Sequence, residues 1–175
     1  MRARFSMKID LTNIPPEGKK LNFKFPEDWW KQDFKEDRIV GLVSPASGLI
    51  KIQPVGKRIS VEGSLSTRLN LRCDRCLEPY AWELSNDFRV FLSLSPFAGG
   101  LDIELSEDDL NVEFMHGNLL ELDQIIKEQV ILSLPMKTLC SGECRGLCPT
   151  CGCNLNFKTC SCSSKSETSL YQHQQ

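Results

Sequence analysis

Between residues 58 and 72 the chain alternates apolar and polar side chains with period two. Ile59, Val61, Leu65, Thr67, Leu69 and Leu71 share the odd positions with Gly63, and Ser60, Glu62, Ser64, Ser66, Arg68, Asn70 and Arg72 take the even ones. Such a segment turns one face to a core and the other to water, which predicts a long half-buried strand. YAWELSNDFRVFLSLS repeats the pattern on even positions, with Trp82, Leu84, Phe88, Val90, Leu92 and Leu94. Two long strands with so short a link predict an antiparallel hairpin. The link contains CDRC, so Cys73 and Cys76 are expected at or near the hairpin tip.

Upstream, MKIDLTNI, RIVGLVS and LIKIQPV predict shorter strands, and VEFM, residues 112–115, predicts another. The charged, Gly- and Pro-containing stretch from Pro15 to Glu36 reads as an irregular connection. NLLELDQIIKEQVILSLP sets Leu122, Ile125, Ile126, Val130 and Ile131 at helical spacing, with Asn118 or Asp123 as N-cap and Pro135 as the stop. The fold class is therefore α+β. An antiparallel sheet or partial barrel with a packed helix is expected over residues 1–139, a small cysteine-rich module over 140–162, and a disordered tail over 163–175. No internal repeat is visible beyond the two cysteine knuckles.

At 175 residues and 41% hydrophobic, the chain can build one main core with a satellite. A formal charge of −2 excludes binding nucleic acid by bulk charge, so any such contact must be local. Charge is uneven: residues 1–80 hold 15 Lys/Arg against 10 Asp/Glu, residues 101–128 hold 1 against 9, and residues 137–175 hold 4 against 2. The basic N-terminal MRARFSMKIDLTNIPP is followed by no apolar run of signal-peptide length, and no later run approaches the roughly 18 residues of a membrane helix. A cytoplasmic protein without a membrane partner is expected.

That compartment changes the meaning of the cysteines. Seven of nine fall in residues 140–162, and in a reducing cytosol clustered thiols bind metal or do redox chemistry more often than they form disulfides. Cys148-Pro-Thr-Cys151-Gly152 has zinc-knuckle spacing, with the glycine permitting a tight positive-φ turn. Its natural second pair is Cys160 and Cys162. Cys140 and Cys144 then group with Cys73 and Cys76, which would fasten the end of the helix to the sheet. Two zinc ions are expected, with Cys153 as a spare thiol. Arg72, Arg75, Arg145 and Lys158 interleave with the thiolates, as charge balance, as nucleic-acid contacts, or as both.

Competing chemistry is sparse. CPxCG loops also hold iron in rubredoxin-like electron carriers, and a zinc-ribbon protein adaptor without RNA contact is a third reading. Neither CDRC nor CPTC stands between a strand and a helix start, where a redox thiol is usually activated. His116 and His173 have no nameable catalytic partners, LDIELSEDDLNVEF reads as a solvated run, and no phosphate-binding loop or nucleophile elbow occurs. A non-enzyme without a small-molecule substrate is expected.

LRCDRCLEPY at 71–80, VILSLPMKTLC at 130–140 and CRGLCPTCGCNLNFKTCSC at 144–162 together resemble the YceD family, the large ribosomal RNA subunit accumulation proteins. The resemblance covers roughly residues 40–162. It implies a bacterial cytoplasmic protein, or its plastid relative, that supports accumulation of large-subunit ribosomal RNA without catalysis. The implied partners are a ribosomal RNA precursor or an early large-subunit ribosomal protein. Cys153 departs from the family pattern, which usually has another residue between CG and NLN.

Overall fold

The computed structural model describes residues 6–32, 37–56, 58–93, 112–114 and 117–162. The expected tail at 163–175, both histidines and the acidic run from 101 to 111 lie outside the described residues.

The predicted hairpin dominates the architecture. Strands β5 (Arg58–Arg72) and β6 (Pro79–Ser93) are each 15 residues long and pair antiparallel from Arg58↔Ser93 to Arg72↔Pro79. The alternation holds: Val61, Leu65, Leu69, Leu71, Leu84 and Leu92 are buried, while Ser64, Ser66, Arg68 and Arg72 face water. Gly63 is required by packing, because a Cβ there would lie 2.7 Å from the Phe88 ring and 2.9 Å from the Ile50 side chain.

Along the other edge of β5 two strands lie end to end. β3 (Ile39–Leu42) pairs near the tip and β4 (Ala46–Val55) along the rest. The break between them contains Pro45, which has no N–H to donate. There the Val43 N–H donates to the Arg68 carbonyl at 2.7 Å and the Arg68 N–H to Ser44 Oγ at 2.9 Å.

The stretch expected to be irregular contains structure. KKLNFKF forms β2 (Lys19–Phe25), which pairs antiparallel with β4, and a 3-10 helix follows at Glu27–Gln32. Leu21, Phe23 and Phe25 alternate with lysines and asparagine, and the inward-facing Phe25 stacks on Trp29 with ring centroids 4.6 Å apart. Aromatic burial decides the matter: Trp29 and Trp30 are both buried.

VEFM yields β7 (Val112–Phe114), which pairs parallel with β6, so the sheet is mixed and not purely antiparallel. Its order is β2-β4-β5-β6-β7, and among the described residues the sheet is open, with no closed barrel. A second, two-stranded ladder joins β1 (Lys8–Asp10) to β8 (Leu119–Glu121). The helix α1 (Leu122–Leu132) starts directly from β8. Neither expected N-cap is used: Glu121 takes that position without a side-chain cap bond, and Asp123 is buried in the first turn, accepting from Ser6 Oγ at 3.3 Å. Strand pairing of β8 with β1 fixes where helix can begin, and this overrides capping preference. The helix ends before Pro135, with Ser133 donating through its N–H and hydroxyl to the Gln129 carbonyl.

One apolar core lies between the inner sheet face and a cover made of the 3-10 helix, the β1–β8 ladder and α1, through residues such as Ile50, Val61, Trp29, Leu120, Ile126 and Val130. No helix among the described residues is long and apolar enough to cross a membrane.

Candidate metal centres

At the far end of the β5–β6 hairpin the core gives way to sulfur. Cys73 and Cys76 occupy the link between the strands, which is closed by the Cys73 N–H donating to the Glu78 carbonyl at 3.0 Å. After α1 the chain returns to this tip. Thr138, wholly buried, donates its hydroxyl to the Arg72 carbonyl at 2.9 Å and its N–H to Asp74 Oδ2 at 2.7 Å, and accepts from the Asp74 N–H at 2.7 Å. Cys140 and Cys144 are thereby delivered opposite the knuckle.

The four sulfurs of Cys73, Cys76, Cys140 and Cys144 lie within 4.8 Å of one another. Cys73 and Cys144 are 3.8 Å apart at sulfur, Cys76 and Cys140 3.7 Å. Four sulfurs placed tetrahedrally about 2.3 Å from one ion stand about 3.8 Å apart, whereas a disulfide brings two to about 2 Å. The spacing fits four thiolates on a metal ion.

Cys148, Cys151, Cys160 and Cys162 form a second group within the same 4.8 Å limit. The structure thus brings together the eight predicted cysteines in the two predicted fours. Cys153 stands outside both, and its carbonyl accepts from the Cys148 N–H at 2.8 Å.

The two knuckles share one backbone design. The Leu77 N–H donates to the Cys73 carbonyl at 2.9 Å, and the Gly152 N–H to the Cys148 carbonyl at 2.9 Å. The residue after the second cysteine is left-handed in both, Leu77 at φ 62° and Gly152 at φ 71°. Such a turn points N–H groups at sulfur.

The thiol acidities reflect this. At Cys73 burial opposes the charge, yet the N–H groups of Cys140, Cys76 and Arg75 outweigh it and bring the thiol down to about 6. At Cys148 the N–H groups of Cys151 and Thr150 do the same, again to about 6. Cys144 is lowered chiefly by Asn156, whose Nδ2 donates to its sulfur at 3.3 Å. Cys140 is pushed up to about 12 by desolvation of its sulfur and by the neighbouring thiols. Cys162 is pushed up to about 12 first by the Cys151 thiol and then by desolvation. Within each group some sulfurs favour the thiolate while others resist a further negative charge. A bound cation removes that conflict, as the donor set of a structural zinc site requires.

Arg72, Arg75, Arg145 and Lys158 are all exposed at this end. They are not equivalent. Arg75 Nη1 donates to the Cys144 carbonyl at 3.0 Å, and the Arg75 carbonyl accepts from the Leu147 N–H at 3.0 Å, so this residue ties the two cysteine groups together. Gly146, at φ 74°, lets the chain pass that carbonyl, which would stand 3.0 Å from a Cβ.

Sequence reasoning missed the polar residues that hold the sulfurs in place. Asn156 Oδ1 accepts from the Arg145 N–H at 2.8 Å while its Nδ2 serves both Cys144 and Asn154 Oδ1, the latter at 2.9 Å. Asp74 between the knuckle cysteines and the NLN after CG were the available signals, but Thr138 carried none.

The family model described as large ribosomal RNA subunit accumulation protein YceD matches residues 61–172. The chain is similar to large ribosomal RNA subunit accumulation protein YCED homolog 1, chloroplastic, of Arabidopsis thaliana: 26% identical over 128 residues, 61% of this chain and 40% of that protein. The protein of the same name from Zea mays is 26% identical over 129 residues, 60% of this chain and 44% of that one. An uncharacterized protein of Mycobacterium tuberculosis is 27% identical over 103 residues, 59% and 48% respectively. The chain spans less than half the length of these relatives. No solved structure matches it. The matched family segment starts in β5 and takes in both cysteine groups and well over half of the chain, and on that ground the chain belongs to the YceD family.

Proposed function

We propose that this chain is a non-catalytic zinc-binding factor that supports accumulation of large-subunit ribosomal RNA in the bacterial cytoplasm. It would contact an rRNA precursor or an early large-subunit ribosomal protein through its cysteine-bearing end. The observation that carries the reading is the pair of four-sulfur groups: one brings the hairpin tip to the segment after α1, and the other lies in the C-terminal knuckle that Leu147 and Asn156 hydrogen-bond to that tip and that segment. The relatives from Arabidopsis thaliana and Zea mays are named for large ribosomal RNA subunit accumulation, and the matched segment includes this end. Zinc, when bound, supplies a redox-inert crosslink and offsets the thiolate charge. Arg72, Arg145 and Lys158 present the cations of this end to solvent, whereas Arg75 is engaged with Cys144.

Depletion of the protein should lower the ratio of large- to small-subunit rRNA, with wild type restoring it and an Arg72→Gln/Arg145→Gln/Lys158→Gln variant restoring it poorly at unchanged zinc content. An unchanged ratio on depletion would remove the ribosomal reading. Elemental analysis should find two zinc ions per chain, and iron in their place would remove the zinc reading.

A further inference from the structure

The outward face of the sheet is a second cationic surface. Among the described residues seven cations project there, Lys20 and Lys24 from β2, Lys51 from β4, Arg58, Arg68 and Arg72 from β5 and Arg89 from β6, against Glu62, Glu83 and Asp87. Two of the acids are already bound, Glu62 to Arg89 at 3.0 Å and Glu83 to Arg68. Among the described residues Lys20, Lys24, Lys51 and Arg72 have no ion-pair partner. Lys20 stands directly across from Lys51 in the β2–β4 register. Like charges opposite one another weaken a sheet, so strand pairing does not explain their placement.

Small polar groups, Ser47, Ser64, Ser66, Ser85 and Asn22, separate the cations and leave the face low. A shallow trough of about 570 Å³ runs over it, lined by Lys20, Lys51, Ser64 and Arg89 together with Leu49 and the carboxylates of Glu62 and Asp87. Single strands are read by stacking bases on exposed aromatic rings. On β2, β3, β4, β5 and β6 Phe91 alone is aromatic at an outward position, and it is half-buried. The chemistry present is that of phosphate contact: lysines and arginines with hydroxyl and amide donors between them, along a strand about 50 Å long.

We infer that this sheet face, from Lys20, Lys24 and Lys51 to Arg72 at the hairpin tip, binds the phosphate backbone of helical RNA. The inference rests on the ribosomal RNA reading above and adds to it a surface that runs along the sheet away from the metal centres. It assigns the RNA contact to two faces that meet at Arg72, the last residue of β5 and the neighbour of Cys73.

The test is binding of the zinc-loaded full chain to an RNA hairpin of arbitrary sequence and to single-stranded polyuridine, each over a range of salt. A Lys20→Gln/Lys24→Gln/Lys51→Gln variant changes only exposed and half-buried side chains, and is expected to keep zinc content and melting temperature. Each phosphate contact contributes about 0.9 to the slope of log affinity against log salt, so the variant's slope should fall by about 2.7. Between 50 and 200 mM salt the wild type should then lose about 40-fold more affinity than the variant. An unaltered slope, with binding lost instead in the Arg72/Arg145/Lys158 variant, would overturn the sheet face and spare the metal end. Equal affinity for polyuridine and the hairpin would overturn the preference for helical RNA. Wild type that binds neither RNA would overturn both, leaving the protein-partner reading to the rRNA ratio experiment.

Discussion

The two cysteine groups share a knuckle turn and differ in what surrounds it. Cys73, Cys76 and Cys144 are buried, and their group draws its two halves from points 64 or more residues apart, with the sheet, Thr138 and Asp74 behind them. In the second group Cys148 alone is buried, and all four cysteines come from one local stretch whose largest apolar residue, Phe157, is 76% exposed. A local site with no core of its own depends on its ion for folding, whereas the non-local one is already positioned by hydrogen bonds and strand pairing. Metal in the first group would therefore lock an existing structure, and metal in the second would create one.

Chelation puts the greatest strain on that contrast, because structural zinc in small peptides is worth about 10–16 kcal/mol of apparent binding free energy. Hydrogen exchange after addition of chelator should show residues 145–162 losing protection first, the tip next, and β4, β5 and β6 last or not at all. Cys148→Ser/Cys162→Ser should remove one equivalent of metal and protection only in 145–162. Simultaneous loss everywhere would erase the distinction between the groups.

The support under the first group can be removed separately. Thr138→Ala removes the hydroxyl that donates to the part-buried Arg72 carbonyl, which costs about 0.5–1.5 kcal/mol. A lowered urea midpoint and easier release of the first ion are expected, with the second unaffected. Thr138→Ser keeps the hydroxyl and should recover most of the loss.

Asn156 crosses between the groups: it lies in the second stretch and donates to a sulfur of the first. Asn156→Ala should weaken the first metal about 10- to 100-fold, the usual effect of losing a group that supports a ligand. The sign of the pH effect follows from Cys144, whose thiol Asn156 holds below the ordinary thiol pKa. Without that donor the thiol rises, protons compete better with metal, and the midpoint for acid release of the first ion moves to higher pH. Loss confined to the second ion would show that Asn156 serves only its own stretch.

Much of this molecule is legible in its sequence where a pattern is local or where spacing is chemical. Residues 59–71 and 82–92 announce their strands by alternation, and eight cysteines announce their fours by two CxxC pairs, by nearness in sequence and by number. β2 was hidden because KKLNFKF alternates between flanking glycine, proline and charge that read as linker, and only Trp29 and Trp30 folding back on Phe25 gives those aromatics a core. β7 was legible as a strand but not as a parallel one, since direction depends on a connection and not on local alternation. Thr138 was illegible for a different reason: its value lies in meeting Arg72 and Asp74, residues 66 and 64 positions away.

The smallest effect isolates the shared turn itself. Leu77 and Gly152 occupy the same left-handed position, but a non-glycine residue there is disfavoured by about 1–2 kcal/mol, partly offset by the greater unfolded-chain freedom of glycine, about 0.5–1 kcal/mol. Leu77 is 55% exposed, so replacing it removes little buried surface. Leu77→Gly should therefore stabilise the first knuckle by about 0.5–1 kcal/mol. Around Gly152 a Cβ would meet nothing within 4 Å, so Gly152→Leu carries backbone strain alone and should destabilise the second knuckle by the same amount. Urea midpoints measure the first change and metal competition the second. Opposite signs of similar size would show that the two turns are one device in different surroundings. Destabilisation by Leu77→Gly as large as that of a core truncation would show instead that the leucine side chain holds the tip.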